Sequence, residues 1–308
     1  MEAVDSQLPE IPRPKVSVLI LSYNRAAQLR RCLAALHQLQ GLETMEIIVL
    51  DNGSQDGSAT LDSEFPEVKF QRMARNFGAT KALTIGARTA LADLLLFLEP
   101  EVEVEPGTVM ALVEALESTP EAAGVCPLLT DPAGNIANKV YRLPGKQDLS
   151  QAWREGILPG AYMPPMDSGA VPVEYPGRTA LMIRKQFLQA MNYFDARYGH
   201  AWADLELSFQ IRHAGKKIFL IPGARAILQP YEPNWNSSQQ ATLAADSCLG
   251  AAAFLSKRYG LMTGIGFQLG AILSTLGKML TFQRFGYQGK VLLGLLGQQK
   301  IDGSQGGI

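Results

Sequence analysis

Short apolar runs alternate with amphipathic stretches along the first two thirds of the chain. Val16-Ser17-Val18-Leu19-Ile20-Leu21 empties into Ser22-Tyr23-Asn24-Arg25, the pattern of a buried strand that ends in a polar loop. Leu29, Cys32, Leu33, Leu36 and Leu39 then recur at helical spacing. A second strand over 46–50 stops at Asp51-Asn52-Gly53-Ser54-Gln55-Asp56-Gly57-Ser58, an octet of turn formers and capping residues that leads into a helix start. Residues 68–72 predict a third strand. Arg75-Asn76-Phe77-Gly78 follows it, before a helix whose small residues Ala79, Ala82, Gly86, Ala87 and Ala90 allow close approach to a sheet. The run Leu94-Leu95-Leu96-Phe97-Leu98, broken by Glu99-Pro100-Glu101, predicts the buried central strand, with carboxylates delivered to the sheet edge where ligands bind in open α/β folds.

The alternation continues with a helix over 107–118, a strand over 124–128 and a turn at Asp131-Pro132-Ala133-Gly134-Asn135. Residues 141–176 are rich in proline and glycine without clear period, which predicts irregular loops able to close over a site. A strand over 179–183, a short helix over 185–191, a loop over 193–204 leading into a helix that ends near Gly215, and short strands over 218–221 and 226–228 complete this part. The reading is an α/β fold: a mostly parallel central sheet with helices on both faces, its first half Rossmann-like in layout. From Thr242 onward the chain turns to alanine- and leucine-rich helix. Leu261, Ile265, Leu269, Ile272, Leu273, Leu276 and Leu280 form one apolar stripe, with Lys257, Arg258, Lys278, Arg284 and Lys290 beside it. Three readings stand: an interfacial helix on an anionic leaflet, packing on the catalytic body or a second subunit, and a membrane span. The organisation expected is a flexible arm over 1–14, a catalytic domain over 15–235 and a helical extension over 236–308.

Composition narrows the function. A net charge of -1 over 308 residues supplies no basic face for nucleic acid. Cys32, Cys126 and Cys248 match neither a metal nor a disulfide spacing, and the first fifteen residues lack an apolar core, so reduced thiols and a cytoplasmic location are expected. Asp51 closes the second strand where dinucleotide-binding enzymes keep a ribose acid. The first turn, however, has no Gly-x-Gly-x-x-Gly, and that reading fails.

Taken in order, Val16 to Arg25, Asp51-Asn52-Gly53-Ser54 with Asp56-Gly57-Ser58, Arg75-Asn76-Phe77-Gly78, Leu98-Glu99-Pro100-Glu101-Val102-Glu103-Val104, Asp204-Leu205-Glu206-Leu207 and Ala214-Gly215 resemble family 2 glycosyltransferases of the GT-A fold, in the bacterial rhamnosyltransferase-like branch. The resemblance spans roughly residues 15–230. It implies an inverting transfer of a sugar from a dTDP- or UDP-sugar donor to an acceptor hydroxyl, in cell-surface polysaccharide or glycolipid synthesis, at the cytoplasmic membrane face. Ser22, Tyr23, Asn24, Arg25 and Asp51 would line the nucleotide pocket, with Asn76 and Gly78 near the donor. Glu99 and Glu101 stand at the family's Asp-x-Asp position and would hold Mg or Mn. Asp204 would be the general base, and Trp202 and Gly177 would lie on the acceptor side.

Each residue has a plainer role to set beside this. Asp51 and Asp56 suit turn and cap chemistry, and Asp204 suits the N-cap of a helix starting at Leu205. Trp202 suits a core anchor. Glu103 and Glu105 continue the parity of Glu99 and Glu101 as one solvated strand face does. The sequence departs from the family pattern at the Glu pair, at Ala203 before the base, and at Gln229, where a histidine is usual and His200 is the nearby substitute. These departures motivate a second reading, a degenerate transferase that binds nucleotide or glycan and scaffolds a membrane assembly. A third keeps activity without metal, with Arg25, Arg75 or Lys81 meeting the diphosphate.

Overall fold

The computed structural model describes residues 13–39, 41, 44–145, 162–164, 166, 169–199, 202–232, 236–281 and 284–297. The expected arm falls largely outside these, as do His200 and much of the 141–176 stretch. The strands are β1 (Val16–Ser22), β2 (Met45–Asp51), β3 (Lys69–Arg72), β4 (Leu94–Leu98), β5 (Val102–Val104), β6 (Ala122–Thr130), β7 (Val171–Val173), β8 (Ala180–Arg184) and β9 (Lys217–Leu228). The helices are α1 (Ala26–His37), α2 (Leu61–Glu64), α3 (Ala79–Thr89), α4 (Thr108–Ser118), α5 (Lys185–Ala190), α6 (Trp202–His213), α7 (Ser237–Tyr259), α8 (Leu261–Leu280) and α9 (Phe285–Leu295).

One sheet runs β3-β2-β1-β4-β8-β6-β9-β5, with β7 on β9. The first four strands in this order are parallel, so the ends of β1, β2 and β4 open on one edge. Beyond β4 the sheet is mixed: β8 runs antiparallel to both β4 and β6, and β6 runs parallel to β9. Helices on both faces explain the unbroken apolar runs. In β4, Leu95 and Phe97 pack into one core with α3 residue Leu83, while Leu94, Leu96 and Leu98 pack into the other with Leu29 and Leu33 of α1. Each such side chain contributes about 1.5–3 kcal/mol of burial. The small-residue helix α3 does approach closely, because a Cβ on Gly86 would lie 2.6 Å from Leu50.

Two expectations are corrected. The segments 218–221 and 226–228 are a single strand, β9, whose register slips opposite Pro127 and Leu128. Pro222, which has no N–H to give the ladder, sits in that irregularity. The run from Glu99 to Glu105 is not one extended face either. Val102 N–H donates to Glu99 O at 3.0 Å and closes a turn across Pro100-Glu101, after which β5 joins β9 at the far edge of the sheet. Glu101 therefore turns inward, while Glu103 reaches out to Arg31 at 3.1 Å.

The chain then enters α7 through a capping box, in which Asn236 Oδ1 accepts from Ser238 and Gln239 N–H. Ala251, Ala252, Phe254 and Leu255 of α7 and Phe267 of α8 belong to a core of the α/β body. Leu261, Ile265, Leu269, Leu273, Leu276 and Leu280 lie exposed on the opposite side of α8, while Ile272 of the same stripe packs against α7 and α9, so all of the stripe but Ile272 is left uncovered. Among the described residues no helix is long and apolar enough to cross a membrane, which removes the spanning alternative for them.

Candidate active site

The loops after β1 and β2 are tied to each other. Asn24, in the left-handed region at φ 53°, donates its N–H to Ser54 Oγ (2.9 Å) and accepts Gln55 N–H on Oδ1 (2.8 Å). Asp56 accepts N–H from Ala26 and from Ser58, so it caps at once the start of α1 and the 3-10 turn ahead of α2. Asp51 is buried and turns Ser54 N–H onto its Oδ1 at 2.9 Å. Asn52 joins the third loop: its amide donates to Asn76 Oδ1 and its Oδ1 accepts Phe77 N–H. Asn76 Oδ1 also accepts Gly78 N–H. Gly53 permits this crossing, for at φ +82° a Cβ there would stand 2.5 Å from the Arg75 carbonyl carbon. The turn and cap roles read from the sequence are thus present, and they build the wall of a cavity.

Tyr23, Arg25, Asn52, Asn76, Gly78, Glu99 and Arg178 line that cavity, of about 110 Å³. Ser22 stands at the end of β1 with its Oγ buried and unpartnered. A wider cleft of about 960 Å³ adjoins, sharing Arg25, Glu99 and Tyr231 and adding Glu101 and Gln229.

The acidic pair is unsymmetrical. Glu99 is half-buried, and Glu101 is buried against Arg25, whose Nη1 lies 2.9 and 3.0 Å from its two oxygens. Only the contact to Oε2 has hydrogen-bond geometry, so Oε1 is buried without a directional partner. Burial pushes the Glu101 carboxyl above its ordinary value, the Arg25 charge opposes this, and the neighbouring Glu99 adds to the rise. Arg25 also stacks on Tyr231, 4.6 Å from its ring centroid. It bridges the smaller cavity and the acidic pair.

Among the described residues no group of three or more His, Cys, Asp or Glu side chains is arranged to hold a metal. What the protein offers is two hard carboxylates, one already paired. They fit a divalent ion as half of a coordination shell that phosphate oxygens would have to complete. Gln229 lines the cleft beside them and donates its backbone N–H to Glu101 O.

Asp204 lies in the first turn of α6, which starts at Trp202, so the expected N-cap role is corrected. It is buried, with Oδ1 3.2 Å from Arg178 Nη1 and Oδ2 3.5 Å from Tyr175 OH. Burial raises its pKa, Arg178 opposes the rise, and Glu99 adds to it. Folded protein therefore holds this proton more tightly than unfolded chain. Its stabilising contribution is complete at low pH and is lost as pH climbs through the raised value. With Asp204 as base, the acid limb of kcat/KM should fall above the ordinary carboxylate range. Arg178→Met should move that limb to still higher pH, because it removes the charge that favours the ionised form. A pH–rate profile of the two proteins checks this.

Trp202 is buried, packs on Phe254 with centroids 5.7 Å apart and donates Nε1–H to Ser247 Oγ, so it is a core anchor and not a sugar platform. Gly177 (φ +72°) precedes Arg178 in the loop entering β8. Sequence reasoning missed Arg178, Tyr175 and Tyr231. Arg178 had one signal, a guanidinium at the mouth of an apolar strand. Its neighbourhood follows from the antiparallel entry of β8, which sets Thr179 O on Glu99 N–H at 2.9 Å.

The family profile described as Glycosyl transferase family 2 matches residues 17–160, which contain the loops after β1 and β2 and the acidic pair. The protein is a glycosyltransferase, and just under half of the chain matches this family. This glycosyltransferase is 24% identical over 229 residues to the N-acetylglucosaminyl-diphospho-decaprenol L-rhamnosyltransferase of Mycobacterium tuberculosis, covering 68% of this chain and 74% of that one. Its architecture is the GT-A fold. The S. aureus TarS 1-349 structure with UDP-GlcNAc superposes with a TM-score of 0.54 at 12% identity, over 92% of this chain and 90% of that one. GalNAc-T7, crystallised with UDP, GalNAc and Mn2+, superposes with a TM-score of 0.55 at 18% identity, over 76% of this chain and 47% of that one.

Proposed function

We propose that this enzyme is an inverting transferase that moves a hexose-type sugar from a dTDP- or UDP-sugar onto a hydroxyl of a lipid-linked or growing cell-surface glycan, on the cytoplasmic side of a membrane. The observation that carries the reading is the convergence around one cleft of Arg25, Glu99 and Arg178 with the buried carboxylates Glu101 and Asp204, beside the loop that Asp51 anchors. The mycobacterial relative, which by its name transfers rhamnose to a diphospho-decaprenol acceptor, supports the donor and acceptor classes. Ser22, Tyr23, Asn24, Asp51, Asn76 and Gly78 bind the nucleotide, with Asp51 free on Oδ2 to accept from a pyrimidine imide. The acceptor oxygen attacks the anomeric carbon as its proton passes to Asp204, and the bond to the diphosphate breaks on the opposite face. Gly177 and Arg178 border the acceptor side. Mg or Mn held by Glu99 and Glu101 would neutralise charge on the departing diphosphate.

The Arg25–Glu101 contact favours a second reading, in which Arg25 itself supplies the positive charge and turnover is metal-free. Purified protein should release dTDP or UDP from a matching donor sugar, and a saturating nucleoside diphosphate, at a hundredfold over its Kd, should stabilise the fold by about 2.7 kcal/mol. If the ion is required, a chelator abolishes release and Mn restores it. Chelator-resistant release that Arg25→Met removes selects the second reading. No thermal shift with any nucleotide would sink both and leave the scaffold alternative.

A further inference from the structure

We infer that α8 is a monotopic membrane-docking helix, whose exposed stripe lies in the headgroup region of an anionic phospholipid surface. The inference names the partner surface for the transferase proposed above and rests on that reading only for its purpose. The two faces of α8 are sorted with little mixing. Gly264, Phe267, Ala271 and Thr275 turn inward. At Gly264 the contact with α7 is so close that a Cβ would lie 2.3 Å from Ala252 O. The outward side carries Leu261, Met262, Leu269, Leu273 and Leu280, all more than half exposed, with Ile265 and Leu276 between them. At one residue per 100° these positions fall within about a third of the helix circumference. A contiguous apolar strip of this length is unlike the scattered exposed leucines of ordinary surfaces.

Charge selects the occupant. From residue 261 to residue 300 the sequence has Lys278, Arg284, Lys290 and Lys300 and no Asp or Glu. A stretch that is apolar and cationic, without a counter-charge, complements an anionic leaflet and repels a second copy of itself. The docking is superficial, since no described helix can cross the bilayer.

The placement is rigid with respect to the catalytic helix. Lys257 and Arg258, at the end of α7, both pair with Glu206 of α6, two residues after Asp204, at 2.9 and 2.8 Å. The stripe begins at Leu261, directly beyond this clamp. An enzyme so held would present its cleft to acceptors at a fixed height above the lipid.

The test is cosedimentation of the full chain with vesicles of phosphatidylcholine alone and of equal parts phosphatidylcholine and phosphatidylglycerol. Expected is partitioning to the anionic vesicles, weakened by high salt, and reduced about tenfold or more by Leu269→Asp combined with Leu273→Asp. Both side chains are exposed, so thermal stability should be unchanged and certify the fold. Failure to bind either vesicle, or equal binding to both, overturns the inference. So does a solution dimer that the double variant dissociates, which would assign the stripe to a second copy. Because the readout is lipid binding, a failure of the glycosyl-transfer reading would appear separately, as no nucleotide release by a protein that still binds vesicles.

Discussion

Replacing Asp204 by asparagine is expected to lower transfer about a thousandfold, within the usual range for losing a positioned general base. The amide keeps the shape and the donor contact of Arg178 to an oxygen, but it cannot take the acceptor proton. Arg178 is itself buried, with 8% of its side chain exposed, and loses a charged partner, but burial already favours the neutral form of this carboxyl, so the net change in stability is expected to be small. Two controls separate these effects. Nucleoside diphosphate binding, which the proposed function assigns to the loops after β1 and β2, should persist within a few-fold. The residual rate should show no acid limb, since the group that titrates has been removed. Transfer by the asparagine variant as fast as by wild type would remove Asp204 from the mechanism.

The second large effect concerns stability. Glu206 is wholly buried, and Lys257 Nζ, Arg258 Nε and Nη2 and Gln210 Nε2 all reach its carboxylate at 2.8–3.2 Å. Lys257→Met with Arg258→Met strands that carboxylate in the interior. The expected cost is about 3–5 kcal/mol, the penalty for breaking a buried ion pair from one side. For a chain of this size that lowers Tm by roughly 6–10 °C. Adding Glu206→Leu should return much of the loss, because a buried ion group replaced by packed apolar atoms is often neutral. If the double variant melts like wild type, the clamp between α6 and α7 contributes nothing. If the triple variant remains as unstable as the double, the cost lies in the packing of the long side-chain stems and not in charge.

Much of the fold was legible because it is written in local period. The unbroken runs over β1, β2 and β4 are strands buried on both faces, and Leu29, Cys32, Leu33 and Leu36 did turn out to be the buried face of α1. The turn and cap chemistry of the loops after β1 and β2 was legible as well, since Asp, Asn, Gly and Ser in those orders have few backbone solutions. The acidic edge was only half legible. A parity rule assumes an extended chain, and Pro100 broke it by removing a ladder donor and admitting a turn. The consequence was that Glu101 met Arg25, at the start of α1 and 76 positions earlier.

The sequence by itself determined the α/β alternation, the order of the motifs that carry the family resemblance and the amphipathic character of the C-terminal helix, all of which depend on neighbours within a turn or a strand. The tertiary structure alone decided which side chains meet across the cleft. Arg178 reaches Asp204 because β8 enters the sheet against the direction of β4, a choice made by long-range pairing that no local pattern encodes. Trp202 became core because α7 returned to cover it, and the stripe of α8 stayed exposed because the other face of that helix filled the space on the body. Burial in each case is a property of what arrives from elsewhere in the chain, and a sequence read one window at a time carries only the capacity for it.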